Sequence, residues 1–229
     1  MNREQRELLG MLVRDVEVSP MKEGYHPVKL LTNRGNIESR YYQVTGAQQA
    51  ALWVGGVGGG WDTPAKGLYP LLCEEFVSEG IASMRVRYRY PTLLKESILD
   101  VLASLELLQN EGIKVAALIG HSFGGAVVIS AAANSPIART VVTLATQSYG
   151  AATASLLQPN CSLLLLHGTG DEVLSPSCSE YIYQLAHQPK HLILYPGATH
   201  NLNEAAPEVQ QVVGDWVRNK LNEAVVELP

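Results

Sequence analysis

Three residues far apart in the chain, Ser122, Asp171 and His200, are of the types that together can turn a hydroxyl into a nucleophile. A serine hydroxyl is a poor nucleophile at neutral pH. It needs a base within hydrogen-bond reach and a third group that orients the base. Ser122 sits in Gly120-His121-Ser122-Phe123-Gly124-Gly125, which has the G-x-S-x-G spacing of a nucleophile elbow. Glycine suits positions 120 and 124 because a Cβ at either would crowd a sharp strand-to-helix turn. Such a turn lifts the hydroxyl above a sheet. It also aims the first free N–H groups of the following helix at the same point, where they favour negative charge. Alone, the pattern is weak, and an ordinary β-turn-α junction using Gly for packing competes with it. The flanks favour the elbow: Val115-Ala116-Ala117-Leu118-Ile119 reads as a buried strand, and Ala126 to Ala133 as a helix packed tightly on a sheet.

In open α/β sheets, reacting groups sit on loops beyond the carboxyl ends of strands. Asp171 meets that condition, following the run Leu163 to Leu166 in His167-Gly168-Thr169-Gly170-Asp171-Glu172. Its competing role is a turn or helix-capping Asp, and Glu172 is the next acid to consider. Of six histidines, only His200 follows the last strand on the correct side, in Pro196-Gly197-Ala198-Thr199-His200-Asn201. His121 abuts the serine, so its side chain is expected to point away. His167 is expected to pack or to hydrogen-bond its own loop. His187 and His191 fall at the opposite edge of the sheet, and His26 in the N-terminal β region. The order Ser122, Asp171, His200 is the order an elbow predicts.

An oxyanion hole needs backbone donors aimed at developing charge. The Phe123 N–H supplies one. Gly55-Gly56-Val57-Gly58-Gly59-Gly60 can supply the second, from Val57 or from Gly58. The rival reading of this loop is a phosphate cradle. It lacks a Gly-Lys-Ser/Thr ending, and Trp61-Asp62-Thr63-Pro64 follows instead.

The elements that must position these groups are legible in the patterning. Val13 to Val18 alternates as a strand wetted on one face. Val28 to Thr32 and Ile37 to Val44, around Asn33-Arg34-Gly35-Asn36, read as a hairpin. After Gly46, strands and helices alternate. Strands are expected at 50–54, 81–85, 115–119, 140–144, 162–166 and 191–195, and helices at 70–78, 95–109, 126–133, 178–187 and 207–221. A short polar helix is expected over residues 1–12. Two antiparallel strands followed by β-α units imply one mostly parallel sheet of about eight strands with helices on both faces. No repeat or linker interrupts it, so residues 1–229 read as one domain.

Composition narrows the function. The chain is 46% hydrophobic and 17% charged, as expected of a globular protein. A net charge of −5 argues against a nucleic-acid binder. The three cysteines, Cys73, Cys161 and Cys178, match no metal spacing and read as reduced thiols of a cytoplasmic protein. Met1 to Glu7 lacks an apolar signal core, and no apolar run is long enough to span a bilayer.

Together, Gly120 to Gly125, Leu166 to Asp171, Gly197 to His200 and Ile81 to Arg85 resemble the α/β-hydrolase superfamily, in particular its small dienelactone-hydrolase-like and carboxylesterase-like members. The likeness spans roughly residues 50–221. It implies Ser122 as nucleophile, His200 as base, Asp171 as orienting acid, the N–H groups of Phe123 and Val57 as oxyanion donors, and no cofactor. Two departures stand out. Gly55-Gly56 replaces the family's frequent His-Gly, and Arg87-Tyr88-Arg89-Tyr90-Pro91 occupies the place of its frequent Asp. The segment 146–160, where relatives insert a lid, is short, so little or no lid is expected. The resulting expectation is a serine hydrolase acting on an ester or thioester of a small or medium acyl group. The alternative is a hydrolase-fold protein that binds a ligand or partner without turnover. Gly58, Trp61, Arg87 and Arg89 are candidate substrate contacts. If the strand continues, Arg85, Arg87 and Arg89 share one side and could hold an acidic substrate group. The competing reading is a solvated or salt-bridged face.

Overall fold

The computed structural model describes residues 10–228. Residues 1–9, the greater part of the expected polar helix, lie outside the described residues. Strands β1 (Val13–Val18), β2 (His26–Thr32) and β3 (Gly35–Tyr42) form an antiparallel meander. The chain then alternates. β4 (Gln49–Val54) leads to α1 (Leu68–Ser78), β5 (Ala82–Arg87) to α2 (Leu94–Asn110), and β6 (Val115–His121) to α3 (Phe123–Ala132). β7 (Ala138–Leu144) is followed by a 3-10 turn at Ala152–Leu156, and β8 (Ser162–Gly168) by α4 (Ser177–Leu185). β9 (Lys190–Tyr195) precedes the long α5 (Ala206–Val226).

All nine strands join one sheet in the order β1-β2-β3-β5-β4-β6-β7-β8-β9, antiparallel up to the β3–β5 pair and parallel beyond it. The sheet is therefore one strand larger than the expected eight, because the antiparallel part has three strands rather than two. The third is the edge strand β1, which lies where the patterning of Val13 to Val18 placed a strand. A register shift between Val13 and Asp15 breaks the clean alternation expected there. Val13 and Val16 are half-buried, whereas Val18 is left 61% exposed. Charged residues between these valines suit an edge that must not recruit another strand.

β6 and β8 are buried at every position. They lack alternation because helices cover both faces of a parallel sheet. Leu163 to Leu166 are fully buried, and each such side chain is worth about 1.5–3 kcal/mol relative to exposure. α2, α3 and α4 pack with one core face, and α1 and α5 with the other. The three cysteines are free, and burial pushes the Cys73 and Cys161 thiols up to about 12.

β4 lies between β5 and β6. The chain adds β5 on one side of β4 and then crosses over to place β6 on the other. Such a reversal opens a crevice at the carboxyl ends of the two diverging strands. Ser122 and the glycine-rich loop emerge there, from β6 and β4. Among the described residues no segment forms a lid. The β7–β8 connection is tied to α3 through the Ser130 hydroxyl, which bonds Gly150 O at 3.0 Å and Thr153 Oγ1 at 2.9 Å.

Candidate active site

Ser122 has φ 56° and ψ −119°. In this left-handed region a non-glycine residue is strained by about 1–3 kcal/mol. The strain is held by backbone bonds: Ser122 N–H donates to Leu144 O at 2.8 Å, and Ser122 O accepts from Gly125 N–H at 3.1 Å and Gln147 N–H at 3.3 Å. A Cβ at Gly120 would lie 2.2 Å from Gly124 O, and one at Gly124 would lie 2.4 Å from Gly55 O. No side chain fits at either place. The small residues of α3, all buried, let the helix start directly beneath the serine.

Ser122 Oγ lies 3.0 Å from His200 Nε2, and His200 Nδ1 lies 2.7 Å from Asp171 Oδ2. An ionised carboxylate only accepts, so Nδ1 carries the ring proton and Nε2 accepts from the Ser122 hydroxyl. Asp171 Oδ1 accepts the N–H groups of Val173 at 2.8 Å and Leu174 at 2.9 Å. The carboxylate thus closes its own turn with one oxygen and faces His200 with the other; the two roles that competed in the sequence use different atoms. Burial pushes the Asp171 carboxyl up, but the Leu174 N–H, the His200 ring and the Val173 N–H outweigh it and hold it below its ordinary value. Glu172 is exposed. The loops after β8 and β9 meet closely, since a Cβ at Gly168 would lie 2.0 Å from Ala198 O.

His121, expected to point away from the serine that it abuts, packs against His200. Its ring lies 4.8 Å from the His200 ring, and its Nε2 donates to His200 O at 3.0 Å. The carbonyl only accepts, so this ring is protonated at Nε2. Burial lowers its pKa to about 4, which keeps a second positive charge away from His200. His167 does bond its loop, through Leu174 O at 3.0 Å, but its Nε2 also lies 3.1 Å from Asp171 Oδ2. No sequence motif separated these two histidines from structural ones; only their positions at the ends of β6 and β8 hinted at a part in the site.

The loop after β4 passes over the serine: a Cβ at Gly56 would lie 3.4 Å from Ser122 Cβ. Gly59 N–H bonds Gly56 O at 3.2 Å, closing a turn with Val57 and Gly58 at its exposed tip. Among the described residues, no protein acceptor takes up the N–H groups of Phe123, Val57 or Gly58. A donor from each side of the serine is thereby free, with the choice between Val57 and Gly58 still open.

The arginines divide. Arg85 is buried beneath the loop and donates to Trp61 O at 2.6 Å. Trp61 offers its ring to Arg40, whose guanidinium carbon is 4.3 Å from the ring centroid. Arg87 is exposed and paired with Glu38 at 2.7 Å. The strand ends at Arg87, the alternation ends with it, and Arg89 turns to α2. Its side chain is only 2% exposed and is ion-paired with Asp100 and Glu96. The three arginines do not share one side, and the salt-bridged reading describes Arg87 and Arg89.

No protein-family model and no curated protein matches the chain. Solved structures do. A dienelactone hydrolase from Anabaena variabilis superposes with a TM-score of 0.74 at 17% identity, covering 86% of this chain and 98% of that one. An α/β serine hydrolase without a lid from Xanthomonas campestris gives 0.70 at 18% identity, with 88% and 97% covered. The esterase domain of a Rhodothermus marinus protein gives 0.68 at 19% identity, with 90% and 99% covered. This chain has the α/β-hydrolase fold. The fold that the four motifs implied is thus matched over nearly the whole length of these structures. In open α/β sheets the crevice beyond β4 and β6 is where ligands bind by topology, and here Ser122, His200 and Asp171 are hydrogen-bonded in series at that end of the sheet.

Proposed function

We propose that the protein is a serine hydrolase that cleaves an ester or thioester of a small or medium acyl group through an acyl-enzyme on Ser122. The observation that carries this reading is the unbroken chain Ser122 Oγ–His200 Nε2, His200 Nδ1–Asp171 Oδ2, in the tautomer that leaves Nε2 free to accept a proton. Ser122 Oγ attacks the substrate carbonyl while His200 Nε2 takes its proton. The oxygen that becomes negative is received by the N–H of Phe123 and that of Val57 or Gly58. His200 then returns the proton to the leaving alcohol or thiol, whose bond to the acyl carbon breaks. A water molecule enters, gives a proton to His200 and attacks the acyl-enzyme. Release of the acid restores Ser122. Asp171 stays ionised throughout and stabilises the imidazolium.

The loops around the serine carry exposed apolar side chains: Val57 at 51%, Leu93 at 54%, Tyr149 at 79% and Val173 at 68%. The loops of the first three adjoin one another, since Gly59 faces Pro91 and Gly150 faces Leu94. An apolar rim of this kind favours an apolar acyl or alcohol group over a charged one. Two solved structures of the same fold carry esterase or dienelactone hydrolase in their descriptions, which supports a carboxylic ester as the bond class.

The test is a fluorophosphonate probe with mass-spectrometric mapping, alongside a panel of acyl esters graded in chain length. Labelling on Ser122, lost in Ser122→Ala, with turnover of at least one ester, is the expected result. A protein that neither labels nor turns over any ester would be a binding protein on the same fold.

A further inference from the structure

Asp171 Oδ2 serves two imidazoles. His200 Nδ1 lies at 2.7 Å and His167 Nε2 at 3.1 Å. The second ring is itself fixed. Its Nε2 also faces Leu174 O at 3.0 Å, and its Nδ1 lies 2.7 Å from Ser179 Oγ. Both neighbours of Nε2 are pure acceptors, so Nε2 carries the proton and Nδ1 accepts from the Ser179 hydroxyl. His167 and Ser179 are fully buried, so no water competes for these bonds. The polar chain therefore extends past the three reacting groups into the core: Ser179, His167, Asp171, His200, Ser122.

We propose that His167, locked in its tautomer by Ser179, is a positioning residue for the reaction. It donates to Asp171 Oδ2, fixes the plane of the carboxylate and draws off part of the negative charge that His200 faces. The proposal rests on the reading of Ser122, His200 and Asp171 as the reacting groups. Asp171 without His167 would keep its two backbone donors on Oδ1 but would present Oδ2 to His200 alone. A more concentrated charge favours the imidazolium, so His200 would hold its proton to higher pH and would be less often free to take the one on Ser122.

The other titratable and charged groups near His200 are few. His121 packs on its ring and is kept neutral by burial. Glu204 bonds Thr199 N–H and Oγ1, and Lys66 faces Glu204. Glu172 neighbours Asp171 but is exposed. Changes at positions 167 and 179 leave all of these in place.

The experiment compares His167→Leu, His167→Gln and Ser179→Ala with the wild type. In the Leu variant kcat falls about 10- to 100-fold, the worth of one hydrogen bond to a charged group. KM stays within about twofold and the acid limb of kcat/KM moves to higher pH, because the substrate touches neither residue. The Gln amide can donate from nearly the same place and restores most of both effects. Ser179→Ala, the milder change, frees the tautomer and gives a smaller shift in the same direction. It keeps the proposal testable if the Leu variant does not fold. The same variants are made in Ser122→Ala protein, and the His200 ring is titrated by NMR. That readout needs no turnover, so a failure of the hydrolase reading and a failure of this proposal are told apart. Unshifted His200 titration in His167→Leu, or in Ser179→Ala where only that variant folds, overturns the proposal. So does a pH limb that stays put while only thermal stability drops.

Discussion

Asp171→Asn is the sharpest probe of the site, because the structure dictates which way the amide must face. Two backbone donors, Val173 N–H and Leu174 N–H, converge on Oδ1. The asparagine oxygen must stay there, since turning the NH2 group toward them would set donor against donor twice. The NH2 group then replaces Oδ2 and faces His200 Nδ1 and His167 Nε2, both of which donate in the wild type. His200 can relieve the clash only by moving its proton to Nε2, the atom that has to accept from Ser122. The side chain keeps its size and position, but the base is held in the wrong tautomer. The same replacement in a serine-protease triad lowers kcat about 10⁴-fold, which corresponds to about 5 kcal/mol of transition-state stabilisation. We expect a loss of that order here. Loss of the bonds from His200 and His167 to Oδ2 should cost about 1–3 kcal/mol of stability. The assay is kcat/KM on a chromogenic ester, run beside a thermal melt. A folded Asp171→Asn protein within about tenfold of wild-type activity would refute the tautomer argument, and Glu172 would become the acid to test.

Ser122→Ala and His200→Ala should each abolish most turnover, and the double variant should lose little more than the worse single one, because members of a triad act as a unit; multiplicative losses in steady-state kinetics would count against a shared mechanism. Arg89→Ala should destabilise the fold by about 3–5 kcal/mol by leaving Asp100 buried and unpaired. Denaturant melts would register this, while the preference between a neutral ester and its carboxylate-bearing analogue should stay unchanged; an altered preference would return Arg89 to substrate binding. Stability should fall with acidification between about 6.5 and about 4 on account of His121. Its pKa is lower in the folded protein than in the unfolded chain, so its contribution is complete above the unfolded value and is lost as pH drops toward the folded one. Melts of the wild type and His121→Gln across that range should diverge in slope, and parallel curves would mean that the buried ring does not resist protonation.

What the sequence determined by itself was local or periodic. Gly120 was legible because an added Cβ would meet the backbone of Gly124, a constraint that acts within a few residues, whereas the contact that excludes a Cβ at Gly124 comes from Gly55 across the sheet. The β-α alternation and the order of Ser122, Asp171 and His200 were legible because apolar runs mark buried strands and topology puts reacting groups beyond their carboxyl ends. The edge strand β1 was legible at Val13 to Val18, but its broken alternation was not, because the register shift between Val13 and Asp15 arises only in its pairing with β2. The salt-bridged reading of the arginines was legible, but the shared side expected of Arg85, Arg87 and Arg89 was not met, because alternation holds only while a strand lasts and this one stops at Arg87. His121 and His167 were beyond any motif. Which way each ring points depends on partners brought in by the sheet: His200 O for the first, Asp171 and Ser179 for the second. An imidazole acts through two nitrogens about 2 Å apart in direction-dependent bonds. Only the packed structure decides which nitrogen faces a donor and which an acceptor.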